Sequence, residues 1–194
     1  MFQTKKPLFL TVLCLLLLVS GFSCGYALVN VFDYAFSFRF FRLTAETVCH
    51  VLCFAAALFY IFKGYTKDAA KYFKTFLASF TLLCFLVVVN ACMLETPSLT
   101  TVFTQMLAFT FLIVLVVAKN LGKIKSFIYG AIILALHLFY LIFALVQYFN
   151  PDSILPKITL WYAIPNAVLA GLLLVFVAAK YRDKAARGSV DPEE

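Results

Sequence analysis

Residues 126–149 read SFIYGAIILALHLFYLIFALVQYF, and this stretch contains no Asp, Glu, Lys or Arg. A helix needs roughly 20 apolar residues to cross a hydrocarbon core about 30 Å thick, and this stretch is long enough. Its apolar residues do not alternate with polar ones, as they would in a strand of a membrane barrel. The stretch therefore predicts a transmembrane helix.

Five other stretches of the chain meet the same criterion. Of its 194 residues, 64% are hydrophobic and 13% are charged, which is too little polar surface for a water-soluble domain. We therefore expect an all-α, integral membrane six-helix bundle in one domain, residues 1–180, followed by a polar tail at 181–194. The predicted spans are 8–31, 44–62, 75–94, 99–118, 126–149 and 158–179.

The first of these spans also fits a secretory signal peptide, because Lys5 and Lys6 precede its apolar core. Its hydrophobicity resumes after a short run of small residues and continues to Val31. We therefore favour an uncleaved helix. Cleavage would leave five spans in the same orientation.

The basic residues indicate how the bundle is oriented. Sixteen Lys and Arg against nine Asp and Glu give a net charge of +7. If the N-terminus is inside, thirteen of the sixteen lie in inner segments, and only Arg39, Arg42 and Lys157 lie in outer loops. Cytoplasmic loops retain Lys and Arg, so both termini are predicted to be cytoplasmic, in a multi-pass protein of the cell membrane. Topology accounts for the charge, and a nucleic-acid partner is not expected.

One inner connection carries lysines at helical spacing, namely Lys63, Lys67, Lys71 and Lys74. Such a stripe beside an anionic leaflet gains about 1 kcal/mol per lysine from lipid headgroups. The alternative is the ordinary positive charge of a solvated helix end.

Several polar residues lie inside the predicted spans, mostly in the outer half of the membrane. Polar side chains are costly in hydrocarbon and usually face the bundle interior or a wet cavity. We expect them to line an outward-facing pocket for a small polar solute or ion, and we expect Glu46 and His50 to exchange a proton with the bound species. The alternative is that they only hydrogen-bond one helix to another. The candidate residues are Glu46, His50, Asn90, Gln105, His137 and Asn166.

The cluster Glu46-x-x-Cys49-His50-x-x-Cys53 contains four side chains that can bind metals. One straight helix turns only about two of them toward a single ion, so Cys49, His50 and Cys53 are weak metal candidates. His50 and His137 differ by about 9 Å in predicted depth, which is unfavourable for one haem iron. A Cys–His pair such as Cys53 with His137 stays open. We predict no cofactor.

Motifs for nucleotide hydrolysis, a serine nucleophile or an intramembrane aspartate dyad do not occur in the sequence. We therefore expect a non-enzymatic membrane protein that binds or translocates a small polar solute or ion, and a partner membrane subunit is possible. Two alternatives stay open. One is an accessory or scaffold subunit without a ligand, and the other is a membrane-embedded metal or haem redox protein.

Overall fold

The computed structural model describes Thr11 and residues 38–64, 69–93, 99–118, 121–150 and 158–188. These ranges contain helices and no strand. Each of the five helices is long and apolar enough to cross a membrane, which makes this an all-α, multi-pass membrane protein. The predicted span 8–31 lies outside the described residues apart from Thr11. The helices are α1 (Phe38–Phe62), α2 (Ala70–Cys92), α3 (Leu99–Val117), α4 (Lys123–Phe149) and α5 (Ile158–Gly188).

Three helices extend five or more residues beyond the spans predicted from hydropathy, and α4 begins three residues early, at Lys123. α1 begins six residues before the predicted 44, α2 begins five residues before the predicted 75, and α5 continues nine residues past 179. Hydropathy measures the apolar length that fits the bilayer, whereas a helix continues until its backbone is interrupted. α1 is interrupted at Gly64, whose φ of 69° is left-handed and whose N–H bonds to the Ile61 carbonyl oxygen at 2.9 Å.

Consecutive helices lie side by side and antiparallel, because the connections between them are short. Each helix packs against the next one in the chain, and α5 also contacts α1 and α2. This return contact closes the bundle. Gly130 lets α4 approach α5 closely, since a Cβ atom there would lie 3.2 Å from Leu174 Cδ1.

The connections place exposed lysines at one end of the bundle, which we call the lysine-rich end. They are Lys63, Lys71, Lys74, Lys123, Lys125 and Lys180. The opposite end, called the far end, contains the start of α1 and the end of α4.

Aromatic side chains fill the interior near the lysine-rich end. Tyr60 of α1, Phe73 and Phe76 of α2, and Phe176 of α5 are buried and form one cluster, which we call the aromatic layer. The Phe176 ring is 5.0 Å from that of Tyr60 and 5.2 Å from that of Phe76, both edge to face. Such contacts add about 0.5–1.5 kcal/mol each beyond area burial. The aromatic layer therefore joins α5 to α1 and α2.

Candidate functional site

Glu46 is an acidic side chain buried in the far half of the bundle. It lies on the face of α1 that also buries His50, Cys53 and Ala57, and it is 2% exposed. The side-chain amide of Asn90, on α2, donates a hydrogen bond to its Oε1 atom. A carboxyl group inside a membrane bundle is costly unless it is paired, and Asn90 supplies this pairing.

His50 lies one turn along α1 and is 1% exposed. Its Nδ1 atom donates to the main-chain carbonyl oxygen of Glu46 at 3.1 Å. Its Nε2 atom is 3.0 Å from Oδ1 of Asn166, which is fully buried on α5. Pro165 precedes Asn166 and lacks an N–H, so the carbonyl of residue 161 loses its usual helical donor. His50 and Asn166 thus connect α1 to an irregular point of α5.

A second polar contact joins α3 and α4 in the same half of the bundle. The Tyr140 hydroxyl hydrogen-bonds with the Thr101 side chain, and the Glu46 carboxyl lies within electrostatic range of Tyr140. Both Tyr140 and Thr101 are buried. Glu46, Asn90, Thr101 and Tyr140 therefore form a polar layer to which four helices contribute.

Gln105 differs from these paired residues. It is 1% exposed on α3, and neither its Oε1 nor its Nε2 atom has a hydrogen-bond partner within the described part of the chain. The Nδ2 atom of Asn166 is also buried without a partner there. A buried polar atom without a partner costs about 1–3 kcal/mol. These amide atoms are therefore free to bind a water molecule or a ligand.

His137 is completely buried on α4 and makes different contacts. Its Nδ1 atom donates to the Ile133 carbonyl oxygen at 2.8 Å, and its Nε2 atom lies 3.8 Å from the Cys84 sulfur. The Phe80 ring packs 5.3 Å from the imidazole. The cysteine that contacts His137 is thus Cys84, which the sequence analysis did not single out. Its helical spacing from Phe76 and Phe80, which puts it on their buried face, is the signal that could have found it.

The metal candidates Cys49, His50 and Cys53 are all buried on α1. Over the described ranges, no three His, Cys, Asp or Glu side chains are grouped so that they could hold a metal ion. Cys53 lies near both Cys49 and Cys84, so these three thiols lie close together between α1 and α2.

The structure therefore brings four of the six candidate residues into direct contact in two pairs, Glu46 with Asn90 and His50 with Asn166, both built on α1. Gln105 and His137 lie on α3 and α4, and no hydrogen bond joins either to those pairs within the described residues.

Two cavities lie elsewhere in the bundle. One of about 40 Å³ is at the lysine-rich end, beside Ser126, Lys180 and Tyr181. The other, of about 330 Å³, is an apolar groove between α2 and α3, lined by residues such as Phe85 and Phe109. None of the six candidate residues lines either cavity.

The lysines with helical spacing lie at the lysine-rich end. Lys71 and Lys74 are exposed on the first turns of α2, and Lys63 is exposed just after α1. The ammonium group of Lys71 lies 5.1 Å from the centre of the Tyr72 ring. Lys67 falls outside the described residues. Three of the four lysines are thus exposed together at the lysine-rich end, and their contact with lipid headgroups stays a prediction.

The comparisons found no matching protein-family model, no matching curated protein and no matching solved structure. The side-chain chemistry of the bundle is therefore the basis on which a function can be proposed.

Proposed function

We propose that this membrane protein binds, and passes, a small polar solute or ion through the interior of its far half. The observation that carries the proposal is the Gln105 amide, which is buried with neither polar atom hydrogen-bonded to a described residue. Buried amides in native proteins are almost always satisfied, so an unsatisfied one indicates a place for water or a ligand. Glu46 and His50 supply ionisable groups in the same half of the bundle.

The ligand is small, because the bundle is closely packed around these residues. Its polar partners are carboxyl, imidazole and amide groups, which suit an ion or a molecule with several hydrogen-bonding groups. The aromatic layer blocks the path from these residues to the lysine-rich end. Passage through the protein therefore requires that layer to open.

We further propose six spans in the cell membrane, with both termini and the lysine-rich end in the cytoplasm. The ligand would then enter from outside. A green fluorescent protein fused to the C-terminus tests this orientation, because it becomes fluorescent when it folds in the cytoplasm. If this fusion is dark, and an alkaline phosphatase fused at the same point is active, the C-terminus lies outside and the orientation is the reverse of the one proposed.

Thermal unfolding of the purified protein in lipid nanodiscs tests ligand binding. The panel would contain sodium, potassium, ammonium, magnesium and small neutral or zwitterionic metabolites. A ligand at 100 times its dissociation constant stabilises the folded state by about 2.7 kcal/mol. We expect at least one compound to raise the midpoint in the wild type but not in Gln105→Met.

Thr110→Val provides the matched control for this experiment. Thr110 is exposed on the same helix, and its hydroxyl bonds only to the Met106 carbonyl oxygen one turn back. The control should keep the full ligand response. A panel with no response in the wild type, or an equal response in Gln105→Met, would contradict the proposal.

The second candidate function is an accessory or scaffold subunit without a ligand. The observation that favours it is the pairing of polar groups across helices, as in Glu46 with Asn90 and Cys84 with His137. Interhelical hydrogen bonds of this kind contribute about 0.6 kcal/mol each to a membrane bundle. A scaffold would show no ligand response in the panel, whereas replacement of either pair would still destabilise it.

A further inference from the structure

His50 lies between two oxygen atoms, and this arrangement restricts where its hydrogens can be. The carbonyl oxygen of Glu46 is an acceptor, so Nδ1 must carry a hydrogen and donate it over 3.1 Å. A neutral imidazole then has only a lone pair on Nε2. Yet Nε2 lies 3.0 Å from the Oδ1 atom of Asn166, which is also an acceptor. A neutral His50 therefore does not fit this orientation of the amide.

Two arrangements satisfy both contacts of His50, the one with the Glu46 carbonyl oxygen and the one with Asn166. In the first, a doubly protonated His50 donates from Nε2 to Oδ1 of Asn166, and Nδ2 faces the interior. This Nδ2 atom is buried and has no partner among the residues the structure describes. In the second, the amide turns by about 180°, so that Nδ2 donates to Nε2 of a neutral His50 and Oδ1 faces the interior.

We propose that His50 and Asn166 form a proton-exchange pair that makes the site selective for a small cation or an ammonium group. The inference rests on the binding function proposed above. With His50 neutral, Oδ1 of Asn166 faces the interior and accepts from the cation. When Nε2 takes up a proton, the Nδ2 hydrogens and a positive charge face the cation and repel it. Cation binding thus releases one proton from Nε2 to water, and proton uptake expels the cation.

The charges near His50 fit an exchange of this kind. An ionised Glu46 carboxylate attracts the bound cation in one state and the imidazolium in the other, so it favours one positive charge at the site in both states. Pro165 weakens the helix directly before Asn166, which lets that segment adjust. The ionisable side chains next to His50 on α1 are Glu46, Cys49 and Cys53. From the neighbouring helices, Tyr140 of α4 lies within electrostatic range of Glu46, and Cys84 of α2 lies near Cys53 and contacts His137 of α4. The described part of α5 presents the uncharged Asn166.

Nitrogen NMR of the full chain in nanodiscs, labelled with ¹⁵N-histidine, tests the hydrogen positions without any substitution in the pair. The protein has only two histidines, so few signals need assignment. We expect neutral His50 to carry its hydrogen on Nδ1, and acid to add the second proton at Nε2. A neutral form protonated on Nε2 instead would overturn the proposal, because Nδ1 then has no hydrogen to donate to the carbonyl oxygen of Glu46.

Two substitutions test the coupling to the amide. Asn166→Asp replaces it by a group that only accepts, so His50 should bind its second proton about tenfold more tightly. Asn166→Leu removes the acceptor, and the second proton should bind more weakly. Gln147→Glu makes the same chemical change near the end of α4 and should leave the titration of His50 unchanged. If His50 titrates at the same pH in both Asn166 variants as in the wild type, the coupling between His50 and Asn166 is refuted.

Cation binding is then tested near the pH at which His50 is half protonated. Sodium chloride or ammonium chloride is added to weakly buffered protein, with choline chloride as the control for ionic strength. We expect a pH indicator to report the release of up to about half a proton per protein in the wild type and in Thr110→Val, since His50 is half protonated at this pH, and none in His50→Gln.

The outcomes separate this inference from the binding function itself. If sodium or ammonium stabilises the protein without proton release, the exchange is refuted and the binding function stands. If only a neutral metabolite stabilises it, cation selectivity is refuted and the binding function stands. If no member of the panel stabilises it, both are refuted.

Discussion

The substitution Gln105→Met should stabilise the ligand-free protein. Methionine has nearly the same length as glutamine and removes both unpaired amide atoms from the interior. The energy of interhelical hydrogen bonds in membranes sets the lower limit of the gain in stability, about 0.6 kcal/mol for each polar atom removed. The desolvation of a buried polar group gives an upper figure of about 1–3 kcal/mol. Together they predict a gain of about 1–3 kcal/mol in the free energy of unfolding.

Asn90→Leu is the matched comparison, because it also exchanges a side-chain amide for an apolar group. The Asn90 amide donates to Glu46, so its removal leaves a buried carboxyl group without that donor. We expect a loss of about 1–3 kcal/mol. The two substitutions should therefore change the stability in opposite directions, although their chemistry is similar.

Unfolding by sodium dodecyl sulfate in mixed micelles measures both values. A thiol-reactive dye reports the transition, because Cys49, Cys53 and Cys84 are buried and become reactive only on unfolding. A loss of more than about 1 kcal/mol in ligand-free Gln105→Met would refute the reasoning. Gln105 would then be hydrogen-bonded in the folded state and would not be available for a ligand.

Three further predictions concern the rest of the bundle. Gly171→Ala should gain about 0.5–1 kcal/mol in the same unfolding assay, because nothing lies within 4 Å of its added Cβ. Gly130→Ala should increase the free energy of unfolding by less, because its added Cβ lies 3.2 Å from Leu174 Cδ1. An equal increase in the two glycine variants would contradict this. Tyr181→Phe removes a 2.5 Å hydrogen bond to a main-chain oxygen and should cost about 0.5–1.5 kcal/mol, so an unchanged thermal midpoint would argue against that contact. Peptide mass spectrometry should find Cys92 alkylated in the folded protein and Cys84 only after unfolding; early reaction of Cys84 would show that the interior opens.

The helices could be predicted from the sequence because apolar length is a local property. The predicted span 99–118 and the observed α3, Leu99–Val117, differ by one residue. The early start of α2 was missed because Lys71 and Lys74 lower the local hydropathy. Lysines at a helix end are compatible with a helix that extends beyond the hydrocarbon, so hydropathy alone does not locate its first residue.

The candidate residues were predictable one by one, whereas their partners were not. Spacing along a helix gives the depth and the face of His50, but its contact with Asn166 depends on α5 returning to α1. The helical spacing of Cys84 from Phe76 and Phe80 predicts that it is buried, but the spacing does not predict that His137 is its partner. The lack of partners around Gln105 is likewise a property of the packed bundle and has no counterpart in the sequence pattern.

The aromatic layer also has an electrical consequence. Phe80 is also buried, one turn beyond Phe76, so buried aromatic rings extend along α2 from Phe73 to Phe80. This distance is about 10 Å, which is roughly a third of the hydrocarbon thickness. A dry layer of this kind carries most of the membrane voltage wherever water or a polar ligand reaches the residues above it. An ion at Glu46 would then have crossed little of the electric field. Moving the ion past Phe176 would then involve nearly all of the electrical work of crossing the membrane. This work is about 2.3 kcal/mol per elementary charge for each 100 mV of membrane potential.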